Sequence, residues 1–466
     1  MIPLWTSADA EAATGGRSSA EWVATGVSID TRSLVAGELF VALRGPNHDG
    51  HDFVGAALQR GAVAAMVERE VPDQTGGRLL RVRNTLAALR DLGAAARRRC
   101  RGRIVAVTGS VGKTGTKEAL RLALAPSGST YASAGGLNNH WGAPLSLARL
   151  PVGASYGIFE LGMNHQGEIA ALTRLVRPHV AVITTVEPAH LGFFPSVEAI
   201  SDAKAEIFLG LEPAGTAILN RDNLYYSRLA SAAMASGAQV ISFGAHSDAQ
   251  VRLLDCVLDP HGSMVEASIS GAVFRYSLPL PGRHWVMNSL AVLATAWACG
   301  AEVGEAAAML AGLEALPGRG RRYELAWGMG ILNLIDESYN ASPAAMRAAL
   351  SVLGATEPGP GGRRVAVLGD MLELGAASDQ LHCELAEPLA AAKVDRIFLV
   401  GTAMAALYRV LPERSQGGLW SSPEEALPAV SAFLKPGDVV TVKGSRGVGV
   451  NRLADQLRAQ SGRLEG

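Results

Sequence analysis

Cysteine is scarce in this chain, and what there is lies scattered. Cys100, Cys256, Cys299 and Cys383 are spread over 466 residues and form no CxxC pair. They read as reduced, buried thiols of a cytosolic protein, not as a disulfide framework. Excess charge of one sign is lacking too: 42 Lys and Arg against 43 Asp and Glu leave a net charge of −1. That balance argues against broad binding to nucleic acid or an anionic membrane. No apolar run is long enough to span a bilayer. The least polar helical stretch, Trp285 to Ala301, contains Asn288 and Ser289 and follows Arg283 and His284. The N-terminus lacks a basic segment followed by an apolar one, so no signal peptide is expected. A soluble, cytoplasmic protein without membrane insertion is the expectation, and a monomer.

What is present is a large core. Hydrophobic residues make up 48% and charged ones 18%, a globular composition, and the length calls for about three domains. Block one, residues 1–100, has short, Gly-punctuated apolar runs beside an Ala-rich helical stretch and reads as a small α/β unit. It ends in a basic run around Cys100, taken as a solvated helix end and linker. Block two, 101–316, alternates apolar strands with helices and predicts a parallel sheet. Block three, 317–466, holds RRVAVLGDM, DRIFLVG and DVVTVKGS between helical stretches, the alternation of a Rossmann-like sheet. The fold class expected is α/β in three domains. PGRGRR, starting at Pro317, is expected to be the hinge.

Block two opens with IVAVTGSVGKTGTKE. An apolar strand runs into Thr108, Gly109, Ser110, Val111, Gly112, Lys113 and Thr114, and a helix follows. Glycines let backbone N–H groups converge on phosphate oxygens, and the helix N-terminus adds positive potential. Lys113 supplies a mobile charge for the β/γ-phosphates, and the Thr114 hydroxyl suits Mg²⁺. Val107 stands where a full GxxxxGK[ST] has glycine, so this is the shorter GxxGKT form. Its context between strand and helix makes nucleotide binding the reading.

Glu160 ends the apolar strand YGIFE, where α/β sheets place ligands. It suits a metal, the lesser alternative being a helix cap. His190 follows VAVITTV at a similar sheet end. Lys204, in SDAKAEIF, reads from residues alone as a surface lysine pairing with Glu206 or its neighbours. In block three, Asp336, Tyr339 and Asn340 precede Ser342 and Pro343, which look like a helix cap. Asp370 and Glu373 follow in GDMLELG. Lys443, Ser445 and Arg446 then form a strand-end loop suited to an anion, or a simple turn.

These motifs carry a resemblance. GSVGKTGTKE looks like the ATP loop of the Mur ligases and folylpolyglutamate synthetases, although Val111 and Gly115 stand where small polar residues are commoner. ELGMNHQGEI, AHLGFF, SDAKAEIF, DESYNASP, VLGDMLELG and KGSRG recur in the Mur ligase family in the same order. DESYNASP is similar to its D-alanyl-D-alanine-adding branch. The branch adding the third residue carries a YAHTPDAL-like stretch and a DNPR-type loop, neither found here.

The resemblance implies ATP and Mg²⁺, with Thr114, Glu160 and His190 holding the metal and Lys113, Lys204 and His190 catalytic. It implies that Lys204 carries a carbamate that ligates a second Mg²⁺. Asn288, Arg319 and Asn340 would face adenine and ribose. In SIDTRSLVAGELFVALRGPNHDGHDF it places Thr31, Arg32, Asn47 and Asp49 beside a UDP-sugar. Asn138 and Asn139, in LNNHWGAPLSL, also match. Asp336, Tyr339, Lys443, Ser445 and Arg446 would bind substrate. The implied partners are UDP-N-acetylmuramoyl-tripeptide and D-alanyl-D-alanine. Two other readings stay open: a related ligase with a different acceptor, and a P-loop protein that hydrolyses ATP without joining substrates.

Overall fold

The computed structural model describes residues 3–71 and 78–461. Three large sheets follow one another along the chain. The first has five short strands in the order Arg17–Ser18, Leu79–Arg81, Ala64–Val67, Glu38–Val41, Gly26–Ser28, parallel except for the first pair. Its core does not close on itself. Leu145 and Ala148, from the helix Gly142–Ala148 of the next unit, complete the cluster around Trp5, Leu39 and Leu89. The Trp5 indole N–H donates to Ala148 O at 2.8 Å.

The basic run is a helix end, as expected, with Arg98 and Arg101 exposed, but part of it is not solvated. It is the last turn of the helix Thr85–Arg99, and Arg97 is buried. Its guanidinium donates to the carbonyls of Val176 at 2.8 Å and Arg177 at 2.7 Å, closing the end of the helix Glu168–Val176. Arg99 lies 4.0 Å over the Trp5 ring. Carbonyls orphaned at a helix C-terminus are good partners for a cation, so this charge is internal mortar between the first two units.

The central sheet has nine strands. Seven are mutually parallel, from Thr130–Ala132 at one edge through Tyr156–Glu160, Arg103–Thr108, Val180–Ile183, Thr216–Asn220 and Gln239–Gly244 to Val251–Asp259. The expected parallel sheet needs one correction: Gly262–Ile269 and Ala272–Leu278 extend it as an antiparallel meander. Ile104 to Thr108 are fully buried, as befits a strand covered on both faces.

The third sheet runs Arg321–Trp327, Gly330–Asp336, Val439–Lys443, Arg364–Gly369, Arg396–Val400, Gln416–Trp420, parallel apart from the first strand. Ser342 caps the helix Pro343–Ala355, with Pro343 in its first turn, as the sequence suggests. Such a cap is worth about 1 kcal/mol. Among the described residues no helix is long and apolar enough to cross a membrane, and all four cysteines are free.

Candidate functional site

The loop after Arg103–Thr108 turns on two glycines. Gly109 has φ +147°, and a Cβ there would collide with Thr184 Oγ1. Gly112 has φ +85° and opens the helix Lys113–Ala123; a Cβ would come within 3.0 Å of the Asn288 amide. The next strand holds the loop in place. Thr184 Oγ1 donates to Val111 O at 2.5 Å, and Ser110 N donates to Thr185 O at 2.9 Å. Thr184 and Thr185 were not legible as loop supports in the sequence. Lys113 Nζ folds back onto Gly109 O at 2.7 Å, and burial holds its ammonium below the usual lysine value.

Glu160 ends its strand opposite Val107. One carboxylate oxygen accepts from Thr114 Oγ1 at 2.8 Å, the other from Asn138 Nδ2 at 2.8 Å. A residue that the sequence reading passed over holds this arrangement from behind. Lys117, one turn after Thr114 and fully buried, donates to Ser133 O, and Ser133 Oγ accepts from Glu160 N at 3.2 Å. Glu160 is therefore fixed at both its backbone and its side chain.

Lys204 is a correction. It is 2% exposed and not a surface lysine. Glu206 is engaged elsewhere, accepting from Gly167 N at 2.7 Å and Ala170 N at 3.0 Å. Burial, with the nearby Lys113 charge, pushes the Lys204 ammonium well below its ordinary value, and among the described residues no carboxylate offsets them. A signal was present: on the helix Val197–Ala205, Lys204 lies four residues after the buried Ile200 and shares its face.

His190, at φ +60°, meets a residue from the third sheet unit. Its Nδ1 is 2.5 Å from Glu373 Oε2. Burial pushes the imidazole below its ordinary value, and the Glu373 contact opposes that.

Lys113, Thr114, Glu160, His190 and Glu373 line one cavity of about 770 Å³. The central unit contributes Ser110 to Thr114, Asn138, Glu160, His190 and Asn288, and the third contributes Arg319, Tyr339, Asn340, Lys443, Ser445 and Arg446. Arg319 stacks 3.8 Å over the Tyr339 ring, with Arg446 at 5.6 Å. Lys443 Nζ donates to Asn340 O at 3.0 Å. The wall thus combines a glycine loop at a helix N-terminus, four cationic side chains (Lys113, Arg319, Lys443, Arg446) and four carboxylates (Glu160, Glu187, Glu337, Glu373), a mixture suited to phosphate oxygens together with a cation.

Other expected site residues sit elsewhere. Thr108, Gly109 and Lys204 do not line the cavity, and Asn139 Oδ1 accepts from Gly142 N at 2.9 Å, where the helix Gly142–Ala148 begins. The Asp336 carboxylate is buried on Ser338 and Gly318 N. Thr31, Arg32, Asn47 and Asp49 belong to the first unit and line no part of the cavity. Arg32 pairs with Asp30 at 2.6 Å. Asp49 caps the turn Gly50–Phe53: burial would raise its carboxyl, but the His51 backbone N–H and ring bring it down to about 2.

Comparison with known proteins follows the same three-part division. Residues 23–102 match the family described as "Mur ligase family, catalytic domain", 107–296 "Mur ligase middle domain", and 318–446 "Mur ligase, glutamate ligase domain". The chain is 35% identical to the UDP-N-acetylmuramoyl-tripeptide--D-alanyl-D-alanine ligase of Escherichia coli (strain K12), over 98% of this chain and 99% of that one. MurF from Acinetobacter baumannii superposes with a TM-score of 0.85 at 31% identity, over 98% of this chain and 100% of that one. The MurF ligase from Thermotoga maritima in complex with ADP gives 0.76 at 28% identity, over 94% and 98%.

Proposed function

Because the chain belongs to the Mur ligase family, we propose that it joins D-alanyl-D-alanine to UDP-N-acetylmuramoyl-tripeptide. The reaction consumes ATP, forms ADP and belongs to peptidoglycan precursor synthesis. The observation that carries the reading is the shared cavity, where the phosphate loop of one sheet faces Lys443 and Arg446 of the next. The proposed location is the cytoplasm, where such precursors are made. Residues 1–100 are proposed to take the UDP-substrate, 101–316 the ATP, and 317–466 to complete the reacting site. Thr31, Arg32, Asn47 and Asp49 are proposed to lie beside the nucleotide-sugar, with Arg32 held by Asp30 and Asp49 by its own turn.

The donors at the loop fit Mg²⁺. Thr114 and Glu160 are hard oxygen ligands side by side, with His190 on the same cavity wall. Among the described residues no cluster of three or more His, Cys, Asp or Glu could hold a metal alone. That suits an ion shared between one carboxylate and substrate phosphates. Bound there, Mg²⁺ neutralises charge on the β/γ-phosphates.

Lys113 leaves its own loop carbonyls for the γ-phosphate, and the loop N–H groups hold the β-phosphate. The tripeptide carboxylate attacks γ-phosphorus and the bond to ADP breaks, giving an acyl phosphate. The D-alanyl-D-alanine amine then attacks the acyl carbon, phosphate leaves with the bonding pair, and the amine loses its proton. Both steps gather negative charge, which Lys113, Lys443 and Arg446 stabilise by position and electrostatics. Asn288, Arg319 and Asn340 are proposed to hold the adenosine end.

Lys204 is proposed to carry a carbamate. A neutral amine adds to CO₂ and loses a proton, and burial beside the Lys113 charge shifts Lys204 towards that neutral form. The decisive assay is ADP release with UDP-linked tripeptide, with and without D-alanyl-D-alanine. Turnover needing both supports the ligase; equal turnover with neither overturns it.

A further inference from the structure

Two residues 183 positions apart, on different sheet units, meet with unusual backbones. His190 has φ +60° and Glu373 φ +65°, a region that non-glycine residues seldom adopt. Each such residue persists only where its surroundings over-determine it. The surroundings here are mutual. Gly192 N donates to Glu373 O at 2.7 Å, and Gly375 packs against Gly192 so closely that a Cβ would lie 3.1 Å from its Cα. Leu372 N donates to Ser445 Oγ at 2.9 Å, which ties the Glu373 segment to the cationic loop of the third sheet. The result is one contact, Nδ1 of His190 against Glu373 Oε2 at 2.5 Å, with both residues on the cavity wall.

We propose that Glu373 is a positioning residue for the metal, acting through His190. The inference rests on the assignment of His190 as a metal ligand above. A ring that donates Nδ1–H to a carboxylate is held in one orientation and one tautomer, with the Nε2 lone pair free. Histidines that ligate metals are generally oriented in this way, and loss of the orienting group costs about 10–100-fold in metal affinity or activity. Here the orienting carboxylate comes from a different sheet unit than the ligand it serves. Metal held by the central unit is therefore coupled to docking of the third: the ligand is complete only when the Glu373 segment is in place. The alternative is a plain latch, in which Glu373 competes with the metal for the imidazole. The two make opposite predictions.

The test uses the full chain with saturating ADP and Mn²⁺ as the probe, free Mn²⁺ being read by electron paramagnetic resonance. Glu373→Ala is expected to weaken Mn²⁺ about 10–100-fold, and Glu373→Gln, which keeps an acceptor without charge, by less. In a His190→Ala background, Glu373→Ala should add less than about twofold, because the carboxylate acts only through the ring. A thermal midpoint near the parent's checks that each variant folds. Unchanged or tighter Mn²⁺ binding in Glu373→Ala overturns the proposal and favours the latch. If His190→Ala itself leaves Mn²⁺ binding unchanged, the ligand assignment falls first and this inference with it.

Discussion

The six-membered ring of Trp285 rests on the bare Cα of Gly115, where an added Cβ would lie 2.6 Å from the indole. This accounts for the glycine in a position where the resemblance leads one to expect a small polar residue. The helix gives up some intrinsic stability there, and the indole fills the space beside the loop. Gly115→Ala should gain up to about 1 kcal/mol of helix propensity but lose about 1–3 kcal/mol to overpacking. A net loss is expected on urea denaturation. In a Trp285→Leu background the same change should be neutral or stabilising; strict additivity of the two substitutions would refute the pairing.

Lys113→Ala should abolish ADP release while leaving binding of the UDP-peptide within a few-fold of the parent. Lys113 lines the shared cavity, whereas Thr31, Arg32 and Asn47 lie in the first unit. Titration calorimetry with the UDP-peptide alone checks it. Equal loss of binding and turnover would mean that the substrate's uridine end sits elsewhere.

Lys204→Ala should lose most activity and regain part of it with added formate or acetate, small anions able to replace a carbamate. Lys204→Arg should be as inactive as Lys204→Ala, since a cation buried without a counter-charge does not restore an anion. Near-normal turnover by Lys204→Arg would remove the carbamate from the mechanism.

His284 gives a pH dependence whose sign is fixed. Burial, with the Lys443 charge, pushes its imidazole from 6.5 down to about 4. As the pH falls, the unfolded chain takes up the proton first. The stability in question is present above about pH 6.5 and is lost as the pH drops towards 4, by at most roughly 3 kcal/mol. His284→Gln should flatten that part of the pH profile of the urea midpoint. A profile parallel to the parent's between pH 6.5 and 4 would contradict it.

Features written in consecutive residues were legible in the sequence. The phosphate loop, Glu160 at its strand end and the Ser342–Pro343 cap each depend on neighbours a few positions away. The meander Gly262–Ile269 and Ala272–Leu278 was missed because serine, glycine and alanine blur the alternation that marks a half-buried strand. Lys204 was misread because its charge was weighed above its place on the Ile200 face. Arg97 was misread in the same way, its target being helix carbonyls 79 and 80 residues on. The His190–Glu373 contact has no local signature at all, since only tertiary folding brings the two loops together.

Asp336 was expected at the substrate and instead binds the start of its own unit. Its carboxylate accepts from Gly318 N at 3.2 Å, its carbonyl accepts from Gly320 N at 2.9 Å, and Gly318 O accepts from Tyr339 N at 3.0 Å. The expected hinge is thus stapled from Gly318 onward, so any pivot is expected before it, at residues 314–317. Arg319 travels with Tyr339 and the third sheet, so the cationic face arrives at the nucleotide ready-assembled. New chain termini made by circular permutation should accordingly be tolerated between Glu314 and Leu316. A cut after Arg319 instead would separate Gly318 and Arg319 from the strand that follows and is expected to loosen the staple.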